Sequence, residues 1–300
     1  NIVIPNFENV SDATLCTTIS NQFGVKVSTV EHLMGAFIGL GIDNAIVEVD
    51  SQEIPILDGS SIGYYESIKS SGIKKLKSHP LIAYTISAAL DSRIFSKVIV
   101  STDSIKYSEI SKYYGAEVPF LRPDSISGAH SPDIEFVEHA IHELKKIGYE
   151  FDCFSILRPT SPFRKPETIN RAWDEFLSHD EIDSLRAVEK CHEHPGKMWV
   201  VSGQRMHPLM PFGPKEQPWH SSQYQTLPEI YVQNASLEIA WTKVVASTRT
   251  IAGDTIIPFF TVNDEGLDIN GEYDWKIVNA MLEEGQAVLP HVDIKPYKEN

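Results

Sequence analysis

The chain is short of cysteine, short of positive charge and without a long apolar run, and each shortage argues against a class of protein. Its three cysteines, Cys16, Cys153 and Cys191, are scattered, with no Cys-x-x-Cys pair and no even set of spacings. That argues against a disulfide framework and fits a reducing compartment, so a cytoplasmic protein is expected. Lysine and arginine number 26 against 41 aspartates and glutamates, for a formal net charge of −15. Such a balance offers no broad basic face to a nucleic-acid backbone or an anionic membrane, although a few local arginines or a divalent cation can still hold a small anion. The longest nearly apolar stretch, Leu33 to Ile42, contains three glycines and is about half of what spans a bilayer. No transmembrane or signal segment is expected. The first residue is Asn1 rather than methionine, which fits a fragment or a processed start.

What is present is length and pattern. At 300 residues the chain exceeds the usual single core, and two domains are expected. In the front part, Val30, Leu33, Met34, Phe37 and Ile38 recur on one helical face, and Ser28 with Glu31 forms a capping-box pattern at its start. Ala45–Asp50 reads as a strand, Glu53–Ser60 as an extended stretch ending in a turn, and Tyr64–Ser71 as a short helix. An α+β piece of this size is too small to hold a robust core by itself.

From His79 onward helix-like and strand-like stretches alternate, as a parallel α/β sheet requires. Leu81–Leu90 is helical. Lys97–Val100 is a short β-branched run ending in Ser101-Thr102-Asp103, and Phe154–Leu157 is another ending in Arg158-Pro159-Thr160-Ser161-Pro162. Ligands of open α/β sheets bind beyond the carboxyl ends of the strands, where these polar residues fall. Between the two runs, Ser131 and Pro132 suit the N-cap and first position of a helix whose buried stripe is Ile134, Val137, Ile141 and Leu144. Cys191, His192 and His194 lack the spacing of a zinc knuckle, and a loop without metal is expected there.

Ser28-Thr29-Val30-Glu31-His32-Leu33, Gly39-Leu40-Gly41-Ile42-Asp43-Asn44 and Glu53-Ile54-Pro55-Ile56-Leu57-Asp58-Gly59-Ser60 resemble the N-terminal domain of the zinc-dependent UDP-3-O-acyl-N-acetylglucosamine deacetylases of lipid A synthesis. The resemblance implies a zinc ligand in His32 and a general base in Glu31. A zinc hydrolase needs three protein ligands and an open water position. That family takes its other His and Asp ligands from a later domain with no counterpart in this chain. Glu31 capping a helix and His32 on a polar face is the competing reading, and Zn2+ belongs only to the alternative in which another chain completes the site.

Pro80-Leu81-Ile82-Ala83-Tyr84-Thr85-Ile86, Val100-Ser101-Thr102-Asp103, Leu121-Arg122-Pro123, Arg158 to Arg164, Gln233-Asn234-Ala235 and Asp268-Ile269-Asn270 form an ordered series that resembles the acylneuraminate cytidylyltransferases. The resemblance implies a Rossmann-like α/β nucleotidyltransferase sheet over residues 78–300, behind a partial deacetylase-like α+β domain over 1–77. It also implies a homodimer formed through an inserted lobe around Glu189 to Pro228. The reaction implied is attack of a sugar acid on the α-phosphorus of CTP with release of pyrophosphate. By resemblance Arg122 holds the nucleotide, and Asp103 also belongs to the substrate- and nucleotide-binding set. Arg158, Thr160 and Ser161 line the sugar-acid side, Gln233 and Asn234 add hydrogen bonds, and Asp268 binds Mg2+. Arg122, Arg158 and Asp268 are the candidate catalytic set. The family often carries a second carboxylate where this chain has Asn270, whose amide oxygen can ligate magnesium without charge. One departure is larger. The family's first strand and its Gly/Ser/Arg/Lys loop, which cradles the triphosphate, are replaced here by deacetylase-like sequence. The leading expectation is therefore an impaired cytidylyltransferase. A zinc deacetylase fragment and a non-catalytic sugar-nucleotide binding module are the rivals.

Overall fold

The computed structural model describes residues 2–40, 47–70, 74–128 and 131–298, and the chain divides into two compact units, Asn1–Lys74 and Lys75–Asn300.

The first unit opens with a small antiparallel sheet of β1 (Val10–Asp12), β2 (Thr18–Ser20) and β3 (Lys26–Val27), followed by α1 (Glu31–Leu40) and α2 (Ile62–Ser70). Its core is Ile19, Val30, Leu33 and Ile54, with Phe37, Tyr64 and Ile68 packed against them. Gly35 lets α1 approach the lead-in to α2 closely, since a Cβ there would lie 2.4 Å from Ser61 Oγ. The expected capping box is not made. The Ser28 N–H already donates to Gln52 O at 2.9 Å and its C=O accepts from Ile54 N at 3.0 Å. The Glu31 carboxylate instead accepts the Thr17 N–H at 2.9 Å, and the helix begins at Glu31 itself. Of the strand expected over 45–50, Ala45 and Ile46 lie outside the described residues and Val47–Asp50 form no strand. In the extended stretch over 53–60, Glu53 makes a parallel bridge with Ser28.

The second unit begins with a hairpin, β4 (Lys75–Leu76) and β5 (His79–Pro80), whose two-residue turn Lys77-Ser78 runs into α3 (Leu81–Ser92). There follow α4 (Ile105–Tyr113), α5 (Asp133–Lys146), β6 (Cys153–Ile156), α6 (Pro166–Leu177), β7 (Ser184–Lys190), the hairpin β8 (Trp199–Ser202) and β9 (Arg205–Pro208), β10 (Tyr231–Trp241), α7 (Thr242–Thr248), β11 (Ile256–Phe260) and α8 (Glu272–Glu283). The main sheet has the order β11-β7-β10-β6. It is mixed rather than parallel. β11 runs parallel to β7, but β10 returns from the β8–β9 lobe antiparallel to both β7 and β6. Lys97–Val100 is extended without forming a ladder, because its described pairing is one parallel bridge from Ile99 to Glu117.

Helices cover the sheet as their apolar spacing dictates. α6 turns Ile169, Ala172 and Phe176 inward, and Ala172 and Phe176 meet Leu185, Ala187, Leu237, Ile239 and Phe259 of the strands. Truncating Phe176 in such a core costs about 3–5 kcal/mol. α5 lays Val137 against Ile156 and Val245, flanked by Ile134 and Ile141. It starts one position later than the sequence pattern indicates, with Pro132 at the N-cap and Asp133 first. A further cluster joins Leu76, Tyr84, Phe163, Ile269 and Val278. In the lobe, His194 Nδ1 accepts the Gly196 N–H at 2.9 Å and its Nε2 lies 3.1 Å from Pro228 O. Both ring nitrogens are used in shaping the turn. Among the described residues no group of three or more His, Cys, Asp or Glu side chains could hold a metal ion, and no helix is long and apolar enough to cross a membrane.

Candidate functional site

The loop after β6 is held by Arg164, a wholly buried residue at 1% exposure. Its guanidinium donates to Thr85 Oγ1 of α3 at 3.0 Å, to Arg158 O at 3.2 Å and to Ser236 O of β10. One side chain thus ties the loop to a helix and to the central strand. Burial lowers this guanidinium and the Asp268 carboxylate offsets it only in part, leaving it at about 9. It stays charged at neutral pH, and Asp268 is its nearby countercharge. Asp268 Oδ1 is itself buried, with no hydrogen-bond partner among the described residues. The next residue, Ile269, donates its N–H to Thr160 O at 2.9 Å, which seats the Asp268 segment beside the Arg158–Arg164 loop.

Ser161 is buried, and its hydroxyl has no partner among the described residues. Asn234 Nδ2 donates to Thr261 Oγ1 at 2.9 Å and its Oδ1 accepts the Ser236 N–H at 3.2 Å, so its amide is used internally at a break in the β7–β10 register. Gly266 packs directly behind it, since a Cβ there would lie 2.5 Å from Asn234 Nδ2 and 2.4 Å from Glu189 Oε2. Gln233 and Asn270 are exposed, and the Asn270 N–H donates to Asp274 Oδ2 at 2.9 Å. Asp103 is exposed at the carboxyl end of the Lys97–Val100 segment. Next to it, Thr102 O accepts the Arg122 N–H at 2.8 Å. The Arg122 guanidinium lies 5.7 Å from the Phe136 ring on α5, with its Nε buried and without a partner among the described residues.

Arg158 enters a four-membered ion network. It pairs with Asp133, the first residue of α5, and with Glu238 Oε1 of β10 at 3.3 Å, while Glu238 Oε2 meets Arg186 of β7. Burial works against the Arg158 charge, but Asp133 and Glu238 outweigh it and hold the guanidinium above its ordinary value. Of the residues expected from the sequence, Arg158, Thr160, Ser161, Asn234 and Asp268 come together around Arg164, with Arg122 reached through α5. Asp133, Arg164, Arg186 and Glu238 were not singled out for a role. The signal for Glu238 was present, because an acid between Leu237 and Ile239 of a buried strand demands a buried cation.

In the first unit Glu31 and His32 stand side by side on α1, with Glu31 committed to the Thr17 backbone. Partial burial raises the Glu31 carboxyl, but backbone hydrogen bonds from its own N–H and from Thr17 outweigh that and leave it low. One histidine and one tethered carboxylate do not fit a hydrolytic zinc site. The orphaned Asp268 oxygen does fit one ligand of a hard cation.

Comparison with known proteins finds both families, in matches that overlap over residues 68–108. The family described as cytidylyltransferase matches residues 68–195, and that of the UDP-3-O-acyl N-acetylglycosamine deacetylases matches residues 1–108. The CMP-N,N'-diacetyllegionaminic acid synthase of Legionella pneumophila is 30% identical over 216 residues, 71% of this chain and 90% of that protein. The UDP-3-O-acyl-N-acetylglucosamine deacetylase of Shewanella denitrificans is 39% identical over 113 residues, 38% of this chain. The chain spans about a third of that deacetylase's length, the match covering 34% of it. A solved CMP:2-keto-3-deoxy-manno-octonic acid synthetase shares the fold at a TM-score of 0.51 and 12% identity, over 71% of this chain and 91% of its own. The chain belongs to the cytidylyltransferase family, behind a front segment that matches the UDP-3-O-acyl N-acetylglycosamine deacetylases.

Proposed function

We propose that the second unit is built to transfer CMP from CTP to a nonulosonic sugar acid, and that the present chain does so poorly because it lacks a phosphate loop. In the reaction the anomeric hydroxyl of the sugar acid gives up its proton to solvent and its oxygen forms a bond to the α-phosphorus. The α–β phosphoanhydride breaks, and pyrophosphate leaves with the electron pair. Such chemistry needs charge neutralisation and in-line positioning more than a covalent nucleophile. Arg122, with Asp103 beside it, is assigned to the nucleotide. Arg158, Thr160 and Ser161 are assigned to the sugar acid, and Gln233 to a hydrogen bond at its rim. Asn234, whose amide is spent internally, shapes the end of β10 around them. Asp268, with Asn270 beyond it, would hold Mg2+, which neutralises the phosphates when bound.

The observation that carries the reading is the convergence of the Arg158–Arg164 loop, β10 and the Asp268 segment, joined by Arg164 and by the Ile269-to-Thr160 hydrogen bond. Two of these segments follow the carboxyl ends of β6 and β11, where ligands of open α/β sheets bind, and the antiparallel β10 brings its N-terminal half to the same place. The sugar acid finds support in the Legionella relative, which is named for a CMP-sugar-acid product. Impairment finds support at the entry to α3, where a two-residue turn, Lys77-Ser78, stands in place of a glycine-rich loop. A homodimer through the β8–β9 lobe completes the proposal.

Calorimetry on the intact chain tests the nucleotide assignment. CTP and CMP are expected to bind more tightly than ATP and AMP, and magnesium is expected to strengthen CTP binding. Equal affinities for CTP and ATP, with or without magnesium, contradict the assignment.

A further inference from the structure

Arg158 does not wait empty for a ligand. Its guanidinium carries Asp133 and Glu238, and the two carboxylates are not equivalent. The Glu238 side chain is 7% exposed and has a second cation in Arg186. Asp133 is 35% exposed, beside an Arg158 side chain that is 33% exposed. A solute can therefore reach the Arg158–Asp133 contact, whereas the Glu238–Arg186 contact is enclosed.

Asp133 also has somewhere else to go. It opens α5, a helix of 14 residues whose N-cap is Pro132 and which has no side-chain cap. The first N–H groups of a helix lack intrahelical acceptors and favour an anion nearby. An Asp133 carboxylate released from Arg158 can turn to them, so exchanging it for an external anion leaves neither partner bare. Arg122 adds a second cation on the same side. It packs on Phe136, three residues after Asp133 and so on the same helical face, with its Nε buried and without a partner among the described residues.

We infer that Asp133 occupies the seat of the sugar-acid carboxylate on Arg158 and acts as a built-in competitor, setting how tightly this chain takes an acidic sugar; the inference rests on the assignment of Arg158 given above. An incoming carboxylate replaces the Asp133 oxygen on Arg158, and Asp133 turns to the first turn of α5. No covalent bond changes.

The test titrates the intact chain and its Asp133→Asn, Asp133→Ser and Arg158→Ala variants with N-acetylneuraminic acid, with its methyl ester and with CTP. Asn keeps the shape of Asp133, and Ser is well tolerated at a helix start, so the two variants give independent answers. Removing one competing charge at contact distance is expected to tighten acid binding roughly tenfold. The ester should be unaffected, and Arg158→Ala should weaken the acid. Acid affinity that is unchanged or weaker in both Asp133 variants, while Arg158→Ala still weakens it, overturns the inference and leaves the assignment of Arg158 standing. Acid affinity indifferent to Arg158→Ala overturns both. A gain shared equally by ester and CTP overturns the carboxylate seat in favour of a general charge effect, and no binding of the acid to any variant at tens of millimolar overturns it as well.

Discussion

Glu265 shows how one buried carboxylate is made worth keeping. It accepts from Thr168 Oγ1 at 2.6 Å, from Arg171 at 3.0 and 3.1 Å and from the Val262 N–H at 2.9 Å. Burial raises this carboxyl, but those donors outweigh it and hold it below the ordinary glutamate value of 4.5. The folded pKa is thus below the unfolded one. The resulting stability is present in full above the ordinary carboxylate range and is lost as the pH falls through and below it. Glu265→Gln should cost about 1–2 kcal/mol at pH 7, the Arg171 share being small because that side chain is half exposed. Thermal melts from pH 7 downward should show a shallower acid-side loss in the variant, and identical slopes would contradict this account. Asp268 has the opposite problem, since its countercharge is the internal Arg164 and its expected partner ligand is the uncharged Asn270. Ligand charge count tunes affinity for hard cations, so Asn270→Asp should tighten magnesium binding roughly tenfold. Calorimetric titration with MgCl2 in the presence of CTP reads this, and an unchanged affinity would remove Asp268–Asn270 as the metal site. Neither Arg164 nor Glu238 could be given its partner from sequence. An arginine at the end of a Pro-Thr-Ser-Pro loop reads as exposed until the structure places Thr85 and Ser236 on it.

Elements whose signals were local were the legible ones. α3, α5 and α6 have strong apolar stripes, and the first two stand where the periodicity puts them. Lys97–Val100 has the composition of a strand but not the ladder, because strand formation depends on a partner that composition cannot supply. The capping box at Ser28 failed for a similar reason, the Ser28 backbone being drawn into a bridge with distant Glu53. The β8–β9 hairpin shows another non-local demand. Val201 is 70% exposed, and Val200, Met206, Leu209 and Phe212 are exposed as well. Val201 and its cross-strand partner Met206 share one face of the ribbon while Val200 points to the other, and an apolar pair so exposed calls for a cover, which the homodimer proposed above supplies. Sedimentation at tens of micromolar should find a dimer, and Val201→Glu should raise its dissociation constant at least about tenfold by burying a charge at the interface centre. A monomeric parent chain would contradict the dimer.

On the scale of the whole molecule, two family matches overlap over residues 68–108 rather than meeting at a point. Both resemblances were legible because each rests on short motifs with special residues. What stayed hidden was the sheet order, the mixed strand directions and the ion network around Arg158, all of which depend on chain segments far apart. We propose that a cytidylyltransferase site survives in residues 75–300 without the donors that hold the triphosphate. Preorganised donors of this kind are each worth a few kcal/mol of transition-state stabilisation. The most direct measurement is pyrophosphate release from CTP in the presence of a nonulosonic acid, comparing the chain as it stands with a version in which residues 1–77 are replaced by an intact strand and Gly/Lys loop ahead of Ser78. Near-background release is expected from the former and a gain of roughly a hundredfold or more in the latter; equal rates from the two would rule out a site crippled by missing phosphate donors.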